Sequence, residues 1–149
     1  MPGIVRAMRR DGQHPLVGAS KNALGVVIGH GHNDDLPMNA QGLVIPKTGG
    51  MSVSPTWRDL PGHRIPRRLQ FLCSKATGNN LADCWQLGEA PFIDGPVTTT
   101  LSLKIDHPAH GIIEPSNEME VGEFHAALSA TRERWGLIPE TVGTNETLT

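Results

Sequence analysis

Neither sign of charge dominates this sequence: thirteen lysines and arginines face fifteen aspartates and glutamates, for a formal charge of -2 over 149 residues. A global basic field that would recruit nucleic acid or an anionic membrane is therefore absent, and any such contact has to be local. Cysteine is scarce. Cys73 and Cys84 stand eleven positions apart with no CxxC partner, which argues against both a zinc ribbon and a disulfide framework and suits a reducing compartment. No stretch of eighteen apolar residues occurs, and the opening MPGIVRAMRRDG lacks the apolar core of a secretion signal. The expectation is a soluble product without a membrane partner. Tyrosine is absent, while seventeen glycines and twelve prolines imply many turns and short elements.

The length fits one domain able to bury a core without staples. Its expected extent is residues 1–137, with a flexible tail over 138–149, where IPETVGTNETLT is polar and unpatterned. GIVRAM reads as a first strand closed by a turn at RRDGQHP, ALGVVIG as a second, LVIP as a third and MSVS as a fourth. The proline-rich PTWRDLPGHRIPRR is extended or looped. LQFLCSKATGNNLADCWQLG stays open between a short helix and two strands. VTTTLSLKID alternates at period two, and HGIIEP follows as the next strand. The one clear helix carries Val121, Phe124, Leu128, Thr131 and Trp135 at spacings of three and four, with Gly136 as its stop. Short strands with one late amphipathic helix predict an α+β domain built on a mainly antiparallel sheet.

Four features carry chemistry. GHGHNDD offers His30, His32, Asp34 and Asp35 as metal ligands, with His107 as a distant third imidazole for a metal-dependent hydrolase. A solvated polar loop is the plainer reading, and no metal is expected. TGGMSVS joins Gly49 and Gly50 to Ser52, an arrangement that lets a ligand approach the backbone, although an ordinary hairpin looks the same. WRDLPGHRIPRR gathers Arg58, His63, Arg64, Arg67 and Arg68, whose guanidinium forks match phosphates. Finally, Arg6 sits among apolar neighbours and Glu114 ends an apolar strand that starts at His110. Buried charges of this kind require partners or a task.

Taken in order, IVRAM, TGGMSV, HGIIEPSNEM and the helix around FHAALSATRERW resemble the small type VI secretion effector toxins of the Tse-two kind, over about residues 4 to 135. The resemblance implies a mono-ADP-ribosyltransferase-like fold, a split antiparallel sheet that cups NAD. Arg6 then matches the first-strand arginine that orients the dinucleotide phosphates, and Ser52 the serine that follows the glycine turn. Glu114 falls where transferases of this fold keep the glutamate that handles the nicotinamide ribose; that role comes from the fold at large, not from those toxins. His110 would meet the same ribose, and Gly49, Gly50, His63 and Arg64 would help to hold the cofactor. The implied function is an NAD-dependent ADP-ribosyltransferase or NAD glycohydrolase acting in the cytoplasm, with a cognate immunity protein as partner. A non-catalytic binding module of the same fold is the alternative.

Overall fold

The computed structural model describes residues 2–29 and 35–142. The strands are β1 (Ile4–Asp11), β2 (His14–Pro15), β3 (Ile28–Gly29), β4 (Leu36–Pro37), β5 (Leu43–Val44), β6 (Met51–Val53), β7 (Ala82–Leu87), β8 (Gly95–Pro96), β9 (Leu101–His107), β10 (His110–Pro115), β11 (Met119–Glu120) and β12 (Gly136–Leu137). Helix α1 (Val121–Ser129) is the one α-helix among the described residues. The chain is thus α+β. Two four-stranded antiparallel sheets form its frame, in the orders β12-β7-β1-β2 and β6-β10-β9-β8. β11 pairs with β5 antiparallel, and β3 with β4 in parallel.

Among the described residues one backbone bridge links the two large sheets, between Val5 and Ser54, where each N–H donates to the other's carbonyl at 2.7 and 2.9 Å. On either side of it the strands part, and the gap between β1 and β6 becomes the place to look for a site.

β1 is held from both faces. Ile4 and Met8 enter the larger core with Trp85, Met51, Ile113, Phe124 and Leu128, while Val5 and Ala7 enter a second core with Trp57, Leu60, Ile65, Leu69 and Cys84. Each large side chain buried in this way contributes about 1.5–3 kcal/mol. The strand is therefore a fixed support for Arg6, which projects from its middle. Gly12, at φ +66, closes the hairpin to β2 in a conformation that glycine adopts at least cost. Both cysteines are free. Burial pushes the Cys84 thiol up to about 12, which makes it an inert core residue.

Three expectations need correction. α1 ends at Ser129, seven residues before Gly136, because Thr131 turns back on Leu128: its N–H and its hydroxyl both donate to the Leu128 carbonyl, at 3.0 and 2.7 Å. A 3-10 turn over Arg132–Arg134 follows, and Gly136 begins β12 on the edge of β7. The burial of Phe124, Leu128, Thr131 and Trp135 keeps the spacing seen in the sequence, since a 3-10 turn preserves it roughly while leaving the helix. Next, β9 starts at Leu101, four residues after Val97, because the Thr98 hydroxyl accepts from the N–H groups of Thr100 and Leu101 and bends the chain there. Lastly, the packed chain passes the expected boundary at 137. Ile138 donates to the Cys84 carbonyl, Thr141 is fully buried, and Trp57 Nε1 donates to Glu140 at 2.8 Å. The described chain stays packed through residue 141.

Candidate functional site

Arg6 is 6% exposed, and its guanidinium donates wholly to backbone carbonyls: Nε to Ala23 at 3.1 Å, one terminal nitrogen to Ser52 at 2.8 Å, and the other to Lys21 at 3.1 Å, Gly25 at 3.3 Å and Ser20 at 3.4 Å. It ties the segment over residues 20–25 to β6 across the gap between the sheets. Among the described residues no carboxylate lies within ion-pairing distance of it. Burial lowers its pKa to about 10, opposed by the nearby Asp35 charge and reinforced by that of Arg64. At neutral pH the group stays protonated, so the fold encloses a cation held by carbonyl dipoles and by the field of Asp35.

Beside Arg6 the gap opens into a cavity of about 160 Å³. β6 contributes Ser52 and Val53 to its wall, followed by Ser54, and β10 contributes His110. The turns after β6 add Leu60, Pro61, His63 and Arg64. Lys21 and Asp35 complete it. Arg64 is held against this wall by Asn22 Oδ1 at 2.9 Å and the Lys21 carbonyl at 3.4 Å. His110 Nδ1 is hydrogen-bonded to Asp106 at 2.7 Å, which leaves Nε2 as its remaining ring nitrogen. The Ser54 hydroxyl is buried and has no hydrogen-bond partner among the described residues. Three permanent cations, Arg6, Lys21 and Arg64, thus face one carboxylate, Asp35, around a space of this size.

The structure brings five of the expected residues, Arg6, Ser52, His63, Arg64 and His110, onto this one cavity. Glu114 does not line it. In β6 and β10 the pairs Ser52↔Ile112 and Met51↔Ile113 fix the facing of the side chains, and Met51 and Ile113 lie in the larger core. Continuing that register carries Glu114 past Met51 to Gly50, away from the Val5–Ser54 bridge beside which the cavity opens. Glu114 is 7% exposed, and its Oε2 accepts from the Lys47 N–H at 2.8 Å, where Lys47 adopts φ +69. A carboxylate accepting a backbone N–H at a turn that a non-glycine residue makes unwillingly is a sufficient reason for a buried glutamate.

The diglycine also has a local cause. A Cβ on Gly49 would stand 2.3 Å from the Asp35 carbonyl oxygen, and one on Gly50 2.3 Å from that of Ile113. Backbone, not a ligand, comes close there, and neither glycine lines the cavity. Of the basic residues in the arginine-rich run only His63 and Arg64 line the site. Arg58 stacks on Trp57 at 4.4 Å, and Arg68 pairs with Asp83 at 3.0 Å and donates to the Ala82 carbonyl.

Lys21, Asp35 and Ser54 are wall residues that sequence reading did not assign to this site. Asp35 drew notice only as a metal ligand. In the structure its Oδ1 meets Lys21 Nζ at 2.6 Å, and its Oδ2 accepts from the Val27 N–H at 2.9 Å. The suggested ligands His30 and His32, with Asp34, lie outside the described residues; His107 sits at the tip between β9 and β10, with Nδ1 accepting from the Ala109 N–H. Among the described residues no group of three His, Cys, Asp or Glu side chains is placed to hold a metal ion, and no helix is long and apolar enough to cross a membrane. No protein-family model matches this chain, and none of the curated proteins matches it at a significant level.

Proposed function

We propose that the chain is a toxin-like domain with an ADP-ribosyltransferase-like fold, that its cavity binds the pyrophosphate end of NAD, and that it transfers ADP-ribose to a cytoplasmic target or to water. The observation that carries this reading is the surplus of positive charge around Arg6, at the point where two antiparallel sheets separate. A dinucleotide presents its negative charge at the pyrophosphate, and fixed guanidinium groups recognise it with little reorganisation. The cavity is smaller than the roughly 300–1,000 Å³ of sites that enclose a whole ligand. It therefore suits the pyrophosphate with part of one ribose, and the rest of the dinucleotide extends over its open rim.

Cleavage of the nicotinamide–ribose bond builds positive charge on the ribose carbon, and anchoring the remote phosphates supplies orientation for that step. Ser52 and His110, on neighbouring strands at the wall, are the groups that would meet the ribose; Glu114 is not assigned to it. A binding module of the same fold, without turnover, is the second reading. The engagement of Glu114 with Lys47 favours it, because that carboxylate is taken up by a turn.

Titration with NAD and with ADP-ribose tests the proposal. The native protein binds both, and Arg64→Ala weakens both at least tenfold, equivalent to about 1.4 kcal/mol, without changing the folded state, since among the described residues Arg64 bonds only to Asn22 and the Lys21 carbonyl. Free nicotinamide appearing with the native protein selects the transferase reading, and tight binding without it selects the binding module. Failure of both ligands to bind defeats the two together.

A further inference from the structure

We infer that Asp35 is the cavity's own counter-ion and sets which phosphate ligands it accepts, favouring the diester pyrophosphate of a dinucleotide over terminal phosphates. The inference rests on reading this cavity as an anion site. Counted over the lysine, arginine and aspartate side chains of the wall, Arg6, Lys21 and Arg64 against Asp35 leave a surplus of two positive charges. In a diester pyrophosphate each phosphate carries a single negative charge, which matches that surplus. A terminal phosphate carries roughly -1.5 to -2 at pH 7, so a nucleoside diphosphate or inorganic pyrophosphate brings more charge than the site balances and meets Asp35 as well.

The placement of Asp35 is built rather than incidental. Its carboxylate is fixed at both oxygens, by Lys21 at 2.6 Å and by the Val27 N–H at 2.9 Å. Its own N–H donates to the Val27 carbonyl at 2.8 Å, and its carbonyl accepts from Gly50 at 3.0 Å. Gly49 leaves the room that this close approach needs. The carboxylate thus keeps its position as a ligand enters, and its field also acts on Arg6. Selection of this kind works by repulsion as much as by attraction.

Calorimetric titration with inorganic pyrophosphate, ADP and ADP-ribose tests the inference in the native protein and three variants. Asp35→Asn removes the charge yet keeps an oxygen for the Val27 N–H. It is expected to bind pyrophosphate and ADP about tenfold tighter, and ADP-ribose by a smaller factor. Lys21→Gln is expected to do the reverse, and the double variant to return to within about threefold of the native values. If Asp35→Asn fails to fold, Lys21→Gln decides alone, because it leaves the Val27 contact in place. Unchanged pyrophosphate affinity in the folded variants, or no pyrophosphate binding in any of them, overturns the inference. ADP-ribose that binds and responds as expected while NAD does not bind upholds it and removes the NAD reading instead, and pyrophosphate binding without ADP-ribose overturns it.

Discussion

Replacing Arg6 by methionine is expected to lower the free energy of unfolding by about 3–5 kcal/mol, the scale of a buried charged group whose partners are left behind. Methionine fills much of the space. It leaves the carbonyls of Ala23, Ser52, Lys21 and Gly25 without the donor that the native fold gives them. A buried acceptor stripped of its partner costs about 1–3 kcal/mol, and relaxation of the segment over residues 20–25 towards water recovers part of the sum. Because a domain is typically stable by only about 5–15 kcal/mol, the variant should lose most of its margin. Arg6→Lys should recover little, since an ammonium gathers its three donors on one atom and cannot span carbonyls on opposite sides of the gap. Urea unfolding measures both. An arginine present only to hold a ligand would change stability by less than about 0.5 kcal/mol, and that result would remove Arg6 from the frame of the fold.

The second large effect is expected at the diglycine. Gly50→Ala drives a methyl group to 2.3 Å from the Ile113 carbonyl oxygen and 2.9 Å from its carbon. Neither side yields easily: Met51 is paired with Ile113 in the β6–β10 ladder, and the Gly50 N–H is bonded to Asp35. The loss should reach about 3 kcal/mol, the upper end of ordinary overpacking, which in a chain of this size lowers the melting temperature by roughly 6–12 °C. Thermal unfolding reads it directly. A glycine kept for ligand approach would instead leave the melting temperature near its native value while abolishing binding.

Arg6 and Gly50 also show what the sequence discloses and what it withholds. That Arg6 is buried follows from its apolar neighbours in IVRAM, and that it needs partners follows from its permanent charge. Which partners it has is decided by a segment fourteen to nineteen residues away in the chain and by Ser52, 46 positions away, and backbone carbonyls leave no trace in residue type. β10 coincides with HGIIEP because β-branched residues bounded by a glycine and a proline allow little else. The same six letters do not reveal that Glu114 serves Lys47, because that pairing spans 67 positions. The helix was visible in its apolar spacing, yet its end was not, since the hydroxyl of Thr131 competes for the carbonyl that would have continued it. In the site itself, an arginine-rich run is easy to see. Its division into Arg64 on the cavity, Arg58 on Trp57 and Arg68 on Asp83 depends on three successive 3-10 turns whose prolines fix direction but whose facing is tertiary. Asp35 was legible only as an acid beside histidines, and its salt bridge with Lys21 moves it to a different site.

On the proposed function the gap beside Arg6, and not the surroundings of Glu114, receives the dinucleotide. Mapping backbone amide chemical shifts during titration with NAD tests it most directly. Saturable shifts are predicted around Arg6, residues 52–54, His63, Arg64 and His110, with Lys47 and Glu114 left where they are. Shifts centred on Lys47 and Glu114, or none that saturate, would contradict it.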